Sequence, residues 1–203
     1  MKAGNFNQMK TLQTHGRQGG WAMMEVLIAL IITLVVLAGA FVLVQMAFSS
    51  NTTSEAQQNL MTTKANVSRL FNNQSDFEAL TNTVATQSGI VPASMIVGDT
   101  SSGDITNAFG GDVTIAPDDG DGAGLAAAAG ITIKDNSYYS ITYTGVPQEA
   151  CIQLGSYTRS QWAGGVDING TSIDVFTNGA NPVVTQVNAA CNNGQNTMMF
   201  VHR

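Results

Sequence analysis

The stretch GGWAMME, residues 19–25, opens a long apolar segment. The 23 residues from 26 to 48 contain no charged residue and no proline. A run of about 20 such residues crosses a bilayer as an α-helix, because the helix satisfies its own main-chain polar groups. Glu25 is a single carboxylate at the start of this run, and a short basic segment lies upstream of it. The stretch therefore predicts a membrane-crossing helix with one acidic residue at its beginning.

The order of these features differs from that of an ordinary secretory signal. Such a signal is removed together with its apolar core, by a cut at small residues that follow the core. Here the small residues Gly19 and Gly20 precede the core, so a cut beside them would leave the helix on the protein. Three of the eight Lys and Arg residues lie within residues 1–20, and only Lys64 follows the apolar run closely. This bias predicts a cytoplasmic N-terminus and an external remainder.

Composition restricts the class of protein. Of the 203 residues, those beyond a leader and a helix of about 50 residues suffice for one globular domain. Only 11% of the residues are charged, which favours an extracellular structural protein over a cytosolic enzyme. Beyond residue 20 there are 14 acidic and five basic residues, a formal charge of −9. An acidic domain of this kind argues against direct binding of nucleic acid.

The two cysteines, Cys151 and Cys191, both fall on the predicted outer side, where disulfides persist. We expect them to pair, with two free buried thiols as the alternative. A metal site is less favoured, because the only histidines, His15 and His202, lack ligand spacing to the cysteines. The residues also contain no catalytic constellation and no cofactor-binding motif.

One long helix is predicted over residues 21–73, which contain no proline and a single glycine, Gly39. Its first half, 21–48, is apolar on every side. In its second half the expected core face consists of Ala56, Leu60, Val67 and Phe71. The expected polar side consists of Glu55, Gln57, Gln58, Lys64 and Arg69.

The remainder predicts short strands and helices separated by turns. The predicted helices cover 76–83 with Phe77 and Leu80 inward, 147–154 with Pro147 in the first turn, and 181–191 with Asn181 as N-cap. The predicted strands cover 112–116, 130–134, 138–144, 165–168, 171–176 and 196–201. Pro117 is expected to stop the first of them. Residues 125–129 are expected to be a brief helical or irregular piece. Asn169-Gly170 is the hairpin turn between two of these strands. Tyr139, Ile141 and Tyr143 are the expected core positions of strand 138–144.

Gly20, Glu25 and the apolar helix behind them resemble the class III signal of type IV pilins. The resemblance implies that a prepilin peptidase cuts between Gly20 and Trp21 on the cytoplasmic side. The mature chain would then begin at Trp21, with Glu25 as its fifth residue. Many pilins begin with an N-methylated Phe, so a first residue of Trp leaves methylation open.

The resemblance extends to the head. Residues 107–111, the 147–151 segment and the 181–191 segment with its following strand are similar to type IVb pilins. The match is best to the PilS-type pilins of thin pili on conjugative plasmids and to the bundle-forming pilus pilin. It implies an α+β fold, with a long N-terminal helix packed on an antiparallel sheet. The implied organisation is a leader (1–20), a helix (21–73) and a globular head (74–203) with a disulfide-bounded region (151–191).

A non-enzymatic role follows from the resemblance. The chain is expected to be a major pilin, held in the inner membrane and then assembled into an extracellular helical homopolymer. Expected partners are further copies of itself, the prepilin peptidase, the inner-membrane assembly machinery and minor pilins, with no cofactor. The pilus would serve conjugation or adhesion. The alternatives are a minor pilin, a secretion pseudopilin, or a single-span, membrane-anchored periplasmic enzyme or binding domain.

Glu25 has a physical role in this interpretation. A carboxylate in hydrocarbon is very unfavourable unless it is paired. Cleavage would give Trp21 a free α-amino group, which is cationic at neutral pH. The amine of one subunit and Glu25 of another would then pair and set the register of an otherwise apolar core. The alternative is that Glu25 lies at headgroup level and only stabilises the helix N-terminus.

Overall fold

The predicted long helix forms as α1, Gly19–Phe71, 53 residues without a break. The computed structural model describes residues 19–119, 135–158, 161–173 and 183–203. The helix begins two residues before the predicted start and ends two residues before the predicted end. The chain divides into two compact units between Met46 and Ala47, and the two are described separately below.

The described side chains of the first unit are exposed, and all but a few of them, Glu25 and Thr33 among the exceptions, are apolar. The 18 residues of Met23–Ala40 are long and apolar enough to cross a membrane, and none of them is buried. A helix that is hydrophobic on every side is stable only when lipid or other protein surrounds it.

In the second unit, the other half of α1 contributes one face to the core. The four predicted core residues, Ala56, Leu60, Val67 and Phe71, are all buried. Thr53, Asn59 and Thr63 are buried as well, which the polarity of their side chains did not predict. The Thr63 hydroxyl donates to the carbonyl of Asn59 at 2.8 Å, so it enters the core already hydrogen-bonded to its own helix.

In the part of the chain that the structure describes, five antiparallel strands form the sheet against which this half of α1 packs. They are β1 Val113–Asp118, β2 Tyr138–Pro147, β3 Gly165–Ile168, β4 Thr171–Ile173 and β5 Gln195–His202, in the order β1-β2-β5-β3-β4. Tyr139, Ile141 and Tyr143 of β2 are fully buried, which confirms the predicted core face. Ile141 and Phe200 are register partners across β2 and β5, and Phe200 and Val166 across β5 and β3. Cross-strand neighbours of this kind share one face of a sheet.

The helices of the head differ from prediction mainly at their ends. Those among the described residues are α2 Asn82–Gln87, a single 3₁₀ turn Ala93–Met95, α3 Gln148–Thr158 and α4 Val183–Ala190. The helix predicted over 76–83 is wrong. The chain turns there, and α2 begins only after Thr81, whose side chain accepts from the Val84 N–H at 3.2 Å as N-cap. Phe77 and Leu80 are nevertheless buried as predicted.

The roles predicted for the two prolines are also wrong. Pro117 does not stop β1, which continues to Asp118. β1 is an edge strand, so every second main-chain N–H points away from the sheet. A proline at such a position removes no hydrogen bond between strands and is tolerated. Pro147 is the last residue of β2, and α3 begins at the next residue.

The hairpin prediction is confirmed. Asn169 and Gly170 have φ angles of 55° and 79°, and Ile168 pairs with Thr171 across the turn. Positive φ at both positions matches the right-handed twist of the flanking strands. The predictions for 125–129, 130–134, 174–176 and Asn181 lie outside the described residues.

The edge of β1 is occupied by a side chain. The Asn82 carboxamide donates to the carbonyl of Val113 at 2.9 Å and accepts from the Ile115 N–H at 2.6 Å. These are the groups that a further strand would use. Together with Pro117, which has no N–H, Asn82 makes this edge a poor template for unwanted strand pairing.

The two units give a matched stability test on one helix. We expect Leu60→Ala to lower the free energy of unfolding of the head by about 3 kcal/mol, because Leu60 is fully buried and its removal leaves a cavity. Leu34→Ala, at a side chain that is 58% exposed, will leave head stability unchanged. Urea denaturation in detergent, followed by near-ultraviolet circular dichroism, measures the unfolding free energy of both variants. Equal losses of this free energy would contradict the placement of Leu60 in the core and Leu34 outside it.

Candidate assembly site

Glu25 lies in the second turn of α1 with its side chain exposed among exposed apolar neighbours, including Met24 and Val26. Another polar side chain of this segment, Thr33, is satisfied within the helix, since its hydroxyl donates to the carbonyl of Ala29 at 2.7 Å. Within the described residues, no cation or hydrogen-bond donor contacts the Glu25 carboxylate. In an apolar surrounding, Glu25 is therefore the described group of the Met23–Ala40 segment that would need a partner from outside it.

Gly20 and Trp21, the predicted processing residues, lie in the first turn of α1. Their place at the start of α1 puts the predicted cut ahead of the apolar segment Met23–Ala40, so cleavage there would leave this segment on the protein.

Cys151 and Cys191 form a disulfide, with both residues fully buried and their Cα atoms 5.9 Å apart. Cys151 lies in α3, whereas Cys191 lies one residue beyond the end of α4 rather than within the helix as predicted. The two helices also meet at Gly155. A Cβ atom there would lie only 2.8 Å from a methyl group of Val187, so this close approach requires glycine. The disulfide and this contact together hold α3 against α4.

The structure corrects the placement of Lys64. Its side chain was expected on the polar side of α1, but its Nζ lies 5.2 Å from the centre of the Trp162 ring. Nζ also donates to the carbonyl of Gln161. A cation over an indole face is favourable, so Lys64 fastens α1 to the turn that precedes β3. No sequence signal indicated this contact, since 97 positions separate Lys64 from Gln161.

His202 completes this cluster at the end of β5. Its ring packs edge-on against Tyr139 and Trp162, with centroid distances of 5.9 and 5.7 Å. Its Nδ1 accepts from the Ala163 N–H at 3.2 Å, which requires that nitrogen to be unprotonated. Burial, and then the charge of Lys64, lower the pKa of His202 to about 4.

This pKa predicts a loss of stability in acid. An unfolded histidine titrates near pH 6.5, so between about pH 6.5 and 4 the unfolded chain binds a proton that the folded chain does not. Stability falls as the pH decreases through this window, by about 1–2 kcal/mol once partial solvent exposure is allowed for. NMR titration of the His202 ring will give a midpoint near 4 in the wild type and a higher one in Lys64→Met. A wild-type midpoint near 6.5 would contradict the packing described.

Among the described residues, no group of three or more His, Cys, Asp and Glu side chains is placed to hold a metal ion. The sites assembled in this part of the chain are thus a solitary carboxylate on an apolar helix and a disulfide-linked head.

Comparison with known proteins assigns the family. The family described as PilS N terminal matches residues 50–203. The major structural subunit of the bundle-forming pilus of Escherichia coli O111:H- is 26% identical over 162 residues, which are 80% of this chain and 76% of that protein.

Solved structures agree on the fold. A type IV b pilin from Salmonella typhi is 24% identical, and the match covers 72% of this chain and 96% of that one with a TM-score of 0.51. TcpA, a type IV pilin from Vibrio cholerae El Tor biotype, is 17% identical. That match covers 75% of this chain and 99% of TcpA, also with a TM-score of 0.51. The family match spans most of the chain, and the overall fold of the chain is similar to the folds of these two solved pilins. The chain therefore belongs to the PilS N-terminal family and is a type IVb pilin.

Proposed function

We propose that this pilin is the major structural subunit of a type IV pilus and polymerises through the first half of α1. The observation that carries the proposal is the unburied apolar segment Met23–Ala40 with its single carboxylate, Glu25. Before assembly, lipid surrounds this segment. After assembly, the same segments of neighbouring subunits surround one another and bury it.

Processing prepares the subunit for this change. A prepilin peptidase removes residues 1–20 by cutting between Gly20 and Trp21, and the new α-amino group of Trp21 is cationic. In the filament it pairs with Glu25 of a neighbour. Apolar helices alone associate in many registers, whereas a buried pair of opposite charges is satisfied in one. The pairing therefore selects the register of assembly.

This role implies particular partners and cellular locations for the pilin. The pilin is held in the inner membrane by α1, is added by the inner-membrane assembly machinery with minor pilins, and ends in an extracellular helical homopolymer. It acts as a building block without catalysis. The relative in Escherichia coli O111:H-, named as the major structural subunit of its pilus, supports a major rather than a minor role.

For the biological purpose, we propose contact between cells, in conjugation or in adhesion. A strain that lacks the pilin distinguishes the two. A fall in mating frequency with unchanged adherence to surfaces assigns conjugation, and the reverse assigns adhesion. Two unchanged values would overturn this part of the proposal.

The test of the proposed function is the composition of surface filaments. The full chain is expressed with its peptidase and assembly machinery, the cells are sheared, and the released material is imaged and sequenced. We expect filaments whose main protein is this chain, beginning at Trp21. A trace component would favour the minor pilin or the pseudopilin. A chain that remains in the membrane with residues 1–20 attached would favour the membrane-anchored enzyme or binding domain.

A further inference from the structure

The sequence contains three Asn-Gly dipeptides, and two of them lie in the described part of the head. Asn169–Gly170 forms the turn between β3 and β4, and Asn193–Gly194 lies between α4 and β5. The third, Asn178–Gly179, lies outside the described residues. When glycine follows asparagine, no Cβ obstructs the approach of the glycine main-chain nitrogen to the asparagine side-chain carbon. Each dipeptide is therefore a chemical candidate for deamidation, and the structure distinguishes the two that it describes.

The carboxamide of Asn169 is held on both sides. Its nitrogen donates to the carbonyl of Ala190 at 2.9 Å and to Oδ1 of Asn196 at 2.8 Å. Its oxygen accepts from the Thr197 N–H at 2.9 Å. The side chain must break these hydrogen bonds before its carbon turns toward the next residue.

The attacking nitrogen at this turn is also engaged. The Gly170 N–H donates to Oδ1 of Asp167 at 2.8 Å. The turn itself is fixed by positive φ angles at Asn169 and Gly170 and by strand pairing on both sides. Although Asn169 is exposed to solvent, neither of its reacting groups is free.

The Asn193–Gly194 pair has the opposite character. Both residues are exposed. Neither the Asn193 carboxamide nor the Gly194 N–H is hydrogen-bonded to any described residue. A Cβ atom added at Gly194 would meet nothing within 4 Å, so the space around the attacking nitrogen is open. Solvent exposure is therefore common to the two dipeptides, and hydrogen bonding separates them.

We infer that Asn193 is a site of spontaneous deamidation in the native pilin, whereas Asn169 is protected by the hydrogen bonds of its turn. The main-chain nitrogen of Gly194 attacks the side-chain carbon of Asn193, and the bond from that carbon to the amide nitrogen breaks. Ammonia leaves and takes up the proton lost by Gly194, so a cyclic succinimide remains. Water then opens either carbonyl of the ring and yields aspartate or isoaspartate.

The product changes a defined contact. Asn196 donates to the main-chain carbonyl of Asn193 at 2.9 Å and accepts from the Asn193 N–H at 3.3 Å. The same side chain also donates to the carbonyl of Val146 at 3.1 Å. In isoaspartate the former main-chain carbonyl of residue 193 becomes a free carboxylate. Deamidation thus adds a negative charge at residue 193, two residues beyond Cys191. It also alters the turn that the hydrogen bonds of Asn196 hold in place.

The test compares the two dipeptides within one molecule. The full chain is kept folded in detergent in warm, mildly alkaline buffer and sampled over time. Chymotrypsin separates residue 169 from residue 193 at Phe176, and tandem mass spectrometry locates the mass increase that exchange of –NH2 for –OH produces. We expect Asn193 to convert at least about tenfold faster than Asn169, the factor that about 1.4 kcal/mol in activation free energy produces.

Two matched samples make the result specific. Reduced, urea-unfolded pilin should convert Asn169 and Asn193 at comparable rates, because the protecting hydrogen bonds are gone. Gly194→Ala, which the open space accommodates, should slow conversion of Asn193 and leave Asn169 unchanged. Conversion of Asn169 as fast as Asn193 in the folded chain would overturn the inference. So would a folded Asn193 that stays intact while the unfolded sample converts.

Discussion

Glu25→Gln will reduce the amount of assembled filament at least about tenfold while removal of residues 1–20 proceeds normally. The substitution keeps the size and the hydrogen-bonding ability of the side chain but removes its charge. The cationic amine of Trp21 would then be buried without a counter-ion, and an unpaired buried charge costs about 3–5 kcal/mol. Sheared filament yield, normalised to processed pilin in the membrane, measures the effect.

The same helix carries a matched control. Glu55 is exposed and lies in the second unit of the chain, so Glu55→Gln changes the net charge equally without touching the apolar segment. It should leave filament yield unchanged. Glu25→Asp, which restores the charge on a shorter side chain, should recover part of the yield. Wild-type yield from Glu25→Gln would rule out charge pairing and favour the headgroup interpretation of Glu25.

Removal of the disulfide will have the largest effect on stability. We expect the double variant Cys151→Ala, Cys191→Ala to lose about 4 kcal/mol of unfolding free energy, because the bond closes a loop of 40 residues and restricts the unfolded chain. Urea denaturation of the oxidised wild type and of the double variant, in the same detergent, gives the difference.

Reduced wild-type protein is the control for this comparison. It should match the double variant closely, since both lack the covalent constraint and retain the remaining core. A loss below about 1 kcal/mol would show that the α3–α4 packing around Gly155 holds the region without the bond.

Local patterns were sufficient to predict much of this fold. Hydrophobic spacing identified Leu60 and Val67 as core positions of α1, and alternation did the same for Tyr139 and Ile141 of β2. Both signals depend on residues a few positions apart. The Asn169–Gly170 turn was predictable for the same reason, since positive φ at adjacent residues is a property of the dipeptide.

The remaining features depend on contacts between distant positions. Nothing near Lys64 in sequence indicates Trp162, and the low pKa of His202 arises only when both pack around it. The course of β1 through Pro117 follows from its place at the sheet edge, which the topology decides. For the candidate site, Glu25 and the cysteines were recognisable by residue type, whereas the partner proposed for Glu25 would belong to another molecule.

A reconstruction of the assembled filament at side-chain resolution would show whether the apolar half of α1 forms its core and what Glu25 contacts there. We predict that the chain begins at Trp21, that the Met23–Ala40 segments of neighbouring subunits form the core, and that the Trp21 amine contacts the Glu25 carboxylate of a neighbour. A filament in which Glu25 faces solvent would contradict the proposed charge pairing, and one in which these segments lie apart would contradict assembly through α1.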